Sequence, residues 1–169
     1  MSNWTNKRPK LKFQKQRFDY IIESLSILAL LILILIPIYH YNSSPDSIPS
    51  HFDLFGDPDD YARRGIVWLL PILGIILYTV LFFIQKIPHQ FNYIVEITEE
   101  NAERQYRLSI RLLQILKLII TSVLAFVMYA SIMTAYGKWS GLGSYFMPVF
   151  MVVIFGSMVI YLVISSRTK

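Results

Sequence analysis

The sequence predicts an all-α membrane protein: a bundle of four transmembrane helices, both termini cytoplasmic, with the third helix extended into the cytoplasm. Three observations carry this. The 169 residues are 54% hydrophobic and 16% charged, where soluble domains carry about 25% charged residues, and mean hydropathy is +0.47. The apolar residues are gathered into four blocks, each long enough to cross a hydrocarbon core of about 30 Å, which takes about 20 helical residues. The cations stand at the ends of those blocks, where membrane topology expects them.

Residues 1–19 form a basic tail with Lys7, Arg8, Lys10, Lys12, Lys15 and Arg17 against one acid, Asp19. It reads as a solvated cytoplasmic segment, and Phe13 and Phe18 among its cations would let it lie on an anionic leaflet. Span one covers about Tyr20 to Tyr41. It is preceded by polar residues and ends in Pro37-Ile38-Tyr39-His40-Tyr41, not in a small-residue cleavage site, so it reads as a retained span. Glu23 is expected to reach the inner interface, and Pro37 to loosen the last turn.

An outside loop follows, then span two, about Gly65 to Gln85, with Trp68 near its outer end and Pro71 inside it. The inside loop from Lys86 to about Ser109 contains "ITEENAERQYR", which reads as a helix start. Thr98 would cap it, and Glu99 and Glu100 suit its positive end. Glu100–Arg104 and Glu103–Arg107 are i,i+4 pairs, each worth about 0.2–0.5 kcal/mol. No breaker separates this segment from span three, about Leu112 to Tyr136. A helix from Thr98 to Tyr136 would outrun the bilayer core at about 1.5 Å per residue, so its first third should stand in the cytoplasm. Arg111, Gln114 and Lys117 recur every three residues near the inner end of span three; a polar track into the membrane is the functional alternative, and snorkelling toward the headgroups is the favoured reading. Thr121, Ser122, Ala125, Ser131 and Thr134 suit close helix packing. "GKWSGLGS", residues 137–144, is a short outside turn, and span four runs from about Tyr145 to Ser165, with Pro148 in its first turn.

Charge bias orients the chain. The tail, Lys86, Arg104, Arg107, Arg167 and Lys169 mark one side, while Arg63, Arg64 and Lys138 are the cations of the other. By the positive-inside rule both termini are cytoplasmic. The net charge of +5 lies on these flanks and forms no aromatic-interleaved surface, so no nucleic-acid partner is expected. The absence of cysteine removes disulfides, zinc–thiolate sites and cysteine nucleophiles together. The bilayer itself is the first partner, and no cofactor is predicted.

The crowded polar stretch is "IPSHFDLFGDPDD", Ile48 to Asp60. Asp57-Pro58-Asp59-Asp60 reads as a helix N-terminus, with Asp57 as N-cap and Pro58 in the first helical position. Gly56 before it allows a turn with positive φ. His51 and Asp53, two apart in an extended segment, should face the same side. With His40 they make a weak candidate metal cluster of imidazole and carboxylate ligands; the spacing has neither an HExxH pair nor a calcium-loop pattern. The commoner role of such a histidine is to tie a loop down.

The same stretch, continued as "YARR" and flanked by two apolar spans, resembles the signature of a bacterial membrane-protein family catalogued as domain of unknown function 1648, the N-terminal module of SdpI-like immunity and signalling proteins. The motif falls on Ile48, Pro49, His51, Phe52, Asp53, Gly56, Asp57, Pro58, Asp59, Tyr61 and Arg64, and the resemblance covers about Ser24 to Ile87. "TEENAERQYR" is similar to a segment of short members of that family. The resemblance implies a multi-pass protein of the bacterial cytoplasmic membrane whose relatives protect a producing cell from a secreted toxin and recruit a repressor. Spans three and four do not resemble the later immunity-specific domain.

The chain therefore divides into a basic tail (1–19), a helical-hairpin module with the outside loop (20–87), and a cytoplasmic helix extension with a second transmembrane hairpin (88–169). The leading expectation is a non-enzymatic SdpI-like component for envelope sensing, signalling or immunity. It would meet an extracellular peptide or toxin with the outside loop and a cytoplasmic protein with Glu99, Glu100, Glu103, Arg104 and Arg107. The alternative is a metal-binding membrane protein or metal-dependent enzyme using the outside loop. A transporter subunit is disfavoured, since no span shows a buried acid or matched helix interruptions.

Overall fold

The computed structural model describes residues 8–167; Lys7 and Lys169, which contribute to the predicted charge bias, lie outside them. Four helical stretches are long and apolar enough to cross a membrane: Arg17–His40, Arg64–Ile84, Ala102–Ala135 and Phe146–Arg167. The first is helix α1 (Arg17–His40). The second begins as a 3₁₀ turn, Arg64–Trp68, and continues as α2 (Leu69–Ile84). The others are α3 (Ala102–Ala135) and α4 (Phe146–Arg167). At about 1.5 Å per residue α3 is about 51 Å long, so it outruns a bilayer core of about 30 Å.

Helix α3 is the hub. It packs against α1, α2 and α4, and at one end against the loop between α1 and α2. Its buried stripe, Gln114, Lys117, Thr121, Ala125, Met128 and Ile132, has the three-to-four spacing of a single helix face. The matching stripe on α1 is Ser26, Ala29, Leu33 and Pro37. In lipid no hydrophobic force drives helices together, so small residues that allow close approach matter most. Ser26 and Thr121 fit this face because their hydroxyls bond back to the carbonyls of Ile22 and Lys117, at 2.8 and 2.9 Å. Gly74 on α2 likewise permits close approach, since a Cβ there would lie 2.5 Å from Leu33 Cδ2. Helix α4 buries only Ser165 among its described side chains and offers its apolar surface to lipid.

The start of α1 and the end of α4 lie at one end of the bundle. Gln16, before α1, bonds Arg111 near the start of α3, and Ser165, late in α4, bonds Gln105 at 2.7 Å. This is the terminal end; the opposite one is the hairpin end. The described tail is not a free solvated segment. Arg8 donates to the carbonyl of Phe91 at 2.6 Å and lies over the Tyr93 ring at 5.5 Å. Phe13 meets Tyr106 edge-on, with Arg107 5.7 Å from the Phe13 ring. The tail docks because α3 projects beyond the apolar spans and presents an aromatic and cationic surface that the tail covers.

The hairpin end departs from an all-helical reading. Strand β1 (Ser47–Phe52) pairs antiparallel with β2 (Pro58–Arg63), in register Ser47 with Arg63, Ile48 with Ala62 and Pro49 with Tyr61. The expected helix start at Asp57–Asp60 is therefore corrected: these residues close a turn and enter a strand. Each strand of a two-stranded sheet has a free edge, so Pro49 and Pro58 need not interrupt it. The predicted start of the third helix is corrected as well. Thr98 Oγ1 accepts the Asn101 N–H at 3.3 Å and Asn101 Oδ1 accepts the Thr98 N–H at 2.9 Å. This local turn holds Glu99 and Glu100 outside the helix, which begins at Ala102. The expected Glu100–Arg104 pair is absent among the described residues, while Glu103–Arg107 forms at 3.1 Å.

Replacing Gly74 by valine should destabilise the fold by about 1–3 kcal/mol, the ordinary cost of overpacking. Thermal melting of purified protein in detergent checks it; an unchanged midpoint would show that α1 and α2 do not need the close approach.

Candidate functional site

The hairpin is built from its turn. Asp53 Oδ1 accepts the backbone N–H groups of Phe55 and Asp57 at 2.8 and 2.9 Å. The Asp53 N–H donates to the Asp57 carbonyl at 2.9 Å. Gly56 completes the turn at φ +84°, a left-handed conformation that glycine adopts without a Cβ penalty. Its carbonyl accepts the Leu142 N–H from the α3–α4 loop at 2.8 Å. The contact is so close that a Cβ on Gly141 would fall 2.2 Å from Gly56 O, and one on Gly56 would fall 2.7 Å from Gly143 O. The glycines of the "GLG" loop thus let two backbones meet, and the hairpin tip is clasped to the second loop.

The base of the hairpin is fixed by different means. Ile48, 1% exposed, joins Leu33, Val67, Met128 and Ile132 in the apolar cluster at this end of the bundle. Arg64 pairs with Asp46 at 3.3 Å, donates to the carbonyls of Tyr41 and Ser44, and lies 5.3 Å over the Tyr41 ring. Tyr136, at the end of α3, bonds Ser43 Oγ at 2.7 Å and His40 Nδ1 at 3.3 Å.

The three weak metal candidates do not converge. His40 turns to Tyr136, and Asp53 is occupied by backbone N–H groups. His51 reaches across the sheet to Asp59, Nδ1 to Oδ1 at 2.6 Å. Register is irregular around His51, and Asp53 lies just past the end of β1 at Phe52, so the alternation of an ideal strand does not govern this pair. Among the described residues no group of three or more His, Cys, Asp or Glu side chains could hold a metal ion. Of the loop motif, Asp53 and Gly56 build the turn, and Asp57 closes it through backbone bonds. Pro58, Asp59 and Tyr61 lie on β2, Pro49 is buried, and Phe52 is half-buried.

At the terminal end the proposed partner residues divide. Glu99, Glu100, Glu103 and Arg104 are exposed, whereas Arg107 is half-buried against the tail. A cavity of about 510 Å³, lined by Ile94, Val95, Glu96, Thr98, Glu100 and Asn101, opens beside the start of α3. In the segment that leads to it, Tyr93 bonds the Pro88 carbonyl and Ser109 Oγ, both at 2.9 Å. Burial pushes the phenol of Tyr93 above its ordinary pKa, so it remains neutral here.

The residue that sequence reasoning placed wrongly is Lys117. Lys117 does not snorkel: its side chain is 0% exposed, and Nζ lies 2.9 and 2.7 Å from the two Glu23 carboxylate oxygens. The Tyr78 hydroxyl donates to Glu23 Oε1. The ammonium also lies 4.7 Å from the Tyr78 ring centre and 5.4 Å from that of Phe82. One residue each from α1, α2 and α3 thus meets in a buried polar node. Along α3, Lys117 lies about 27 Å from Ala135, at the edge of a hydrocarbon core that begins there. Glu23 is half-buried, its side chain 14% exposed, and both of its carboxylate oxygens are engaged by Lys117.

Asp53→Ala should release the turn and cost about 1–3 kcal/mol locally, seen as faster limited proteolysis within residues 53–57. Asp53→Asn, which keeps the acceptor oxygen, should stay close to wild type. Equal cleavage of all three proteins would contradict the role assigned to Asp53.

No curated protein and no solved structure shows significant similarity to the chain. Residues 28–75 match the family model described as Domain of unknown function (DUF1648). The matched residues take in the second half of α1, the whole β-hairpin and the first part of α2.

Proposed function

We propose that the chain is a non-enzymatic, SdpI-like component of a bacterial cytoplasmic membrane that meets an envelope peptide or toxin with its β-hairpin. The hairpin end faces outward and both termini face the cytoplasm, as the distribution of Lys and Arg favours. The observation that carries the reading is the double attachment of α3. One end of this helix packs on the hairpin, with Met128 and Ile132 in the cluster that Ile48 joins, and the loop that follows it clasps Gly56 through Leu142. The other projects beyond the bilayer core with Glu103 and Arg104 exposed. A displacement of the hairpin has a rigid element through which to reach a cytoplasmic partner, and a bistable packing of that element is what a signal requires.

The partner surface is Glu99, Glu100, Glu103 and Arg104, with the adjoining cavity beside Glu96 and Glu100. Its acidic rim suits a partner segment carrying cations beside an apolar side chain. Arg107, engaged by the tail, belongs to the scaffold of that surface.

Deletion of the gene in its native host should raise sensitivity to at least one envelope-active peptide. Wild type should restore resistance, and Asp53→Ala should restore it poorly. Unchanged sensitivity across a broad peptide panel would contradict the reading.

A further inference from the structure

A second cavity at the terminal end, of about 490 Å³, lies between the tail, the end of α2 and the early part of α3. Its size falls in the range of about 300–1,000 Å³ typical of small-ligand sites. Four cations line it: Lys12, Lys15, Lys86 and Arg107. Arg107 is paired with Glu103, but among the described residues Lys12, Lys15 and Lys86 form no ion pair. The single acid on the lining, Asp19, is already held by Arg111 at 3.9 Å and by the Gln16 N–H at 2.7 Å. The lining therefore has unbalanced positive charge.

A second observation is independent of charge. Gln85 and Gln114, also on the lining, are 9% and 3% exposed. The side-chain oxygens of both are buried without a hydrogen-bond partner. A buried acceptor left unpaired is costly, so a ligand that donates hydrogen bonds as well as carrying negative charge gains by drawing these amides toward the cavity. The remaining lining includes Leu11, Phe13, Phe82 and Ile110, and beside it α2 exposes Phe83 and Ile84 where the apolar span begins. A ligand with a polar head and apolar tails can therefore lie partly in the cavity and partly along α2.

We infer that this cavity binds the head of an anionic, hydroxyl-bearing phospholipid, with a phosphoglycerol head as the simplest fit. The phosphate answers the lysines, and uncharged hydroxyls answer the two amide oxygens. An ammonium-bearing head would supply donors too, but would be repelled by the same lysines. The acyl chains distinguish this ligand from a free glycerophosphate.

The test uses the full chain in phosphatidylcholine nanodiscs doped with phosphatidylglycerol, phosphatidic acid or phosphatidylethanolamine, with retained lipid counted by native mass spectrometry. Phosphatidylglycerol should be enriched over phosphatidylcholine by about tenfold or more, since each surface cation favours anionic lipid. Lys12→Gln with Lys86→Gln should remove most of that enrichment, while Lys10→Gln, outside the cavity lining, should leave it intact. Gln114→Leu should narrow the preference for phosphatidylglycerol over phosphatidic acid. Melting of each variant in phosphatidylcholine alone reports whether it folds, and the exposed lysine substitutions keep the test open if the buried glutamine variant does not. Equal retention of phosphatidylglycerol and phosphatidylcholine, or enrichment unchanged in the double lysine variant, would overturn the inference. Displacement of the lipid by soluble glycerol 3-phosphate at matched concentration would overturn it in favour of a free phosphate ligand.

Discussion

A lysine ammonium withdrawn from water at the edge of a hydrocarbon core must be neutralised where it lies, and Lys117 meets that requirement with Glu23 and the face of two aromatic rings. Removing either charge leaves the other buried and uncompensated, which costs far more than the pair itself contributes. The node therefore acts chiefly as a specifier of register. It admits one rotation and one depth for α1 against α3, and Tyr78 adds α2 to the same geometry. The small side chains then fall into place: Ser26, Ala29 and Ala125 along the α1–α3 face, and Gly74 against Leu33.

The two ends of the molecule are consequences of that register. At the hairpin end, Leu33 and Ile132 frame the space that Ile48 fills, and Tyr136 arrives beside His40 and Ser43. At the terminal end, the α3 residues beyond the apolar span meet the tail, with Arg111 opposite Gln16 and Asp19. Backbone groups at both ends are satisfied by turns, strand pairing and side-chain acceptors, as a chain emerging from lipid demands. Helix α4 stands apart: the Gln105–Ser165 bonds and ring stacking of Phe126 on Phe146 hold it at separate heights. Between them Phe150, Ile154, Ser157 and Tyr161 form a half-buried stripe, and most of the remaining surface is exposed.

The helical architecture was legible in the sequence because long apolar runs in a bilayer have essentially one solution. The loop between spans one and two was legible as a motif but not as a shape. Asp57-Pro58-Asp59-Asp60 has the chemistry of a helix cap and equally that of a turn entering a strand. What decides between them is non-local: pairing with Ser47–Phe52, and the clasp to Leu142 in a loop far along the chain. Lys117 was misread for the same reason. Its place beside Arg111 and Gln114 at the inner end of span three suggested snorkelling toward the headgroups, whereas its partner is 94 residues away. The docked tail was hidden too, since nothing local in Arg8 or Phe13 announces Phe91 or Tyr106 as a neighbour. A glutamate one turn inside span one, set against a lysine one turn inside span three, was the available signal.

The helix register depends most on the coupling between Glu23 and Lys117, and a double-mutant cycle measures it directly. Unfolding free energies in detergent are needed for wild type, Glu23→Gln, Lys117→Met and the double variant. A genuine buried pair predicts large losses in both single variants and substantial recovery in the double, with a coupling of about 2–3 kcal/mol. Additive effects within about 0.5 kcal/mol would contradict the node as the constraint that sets the helix register.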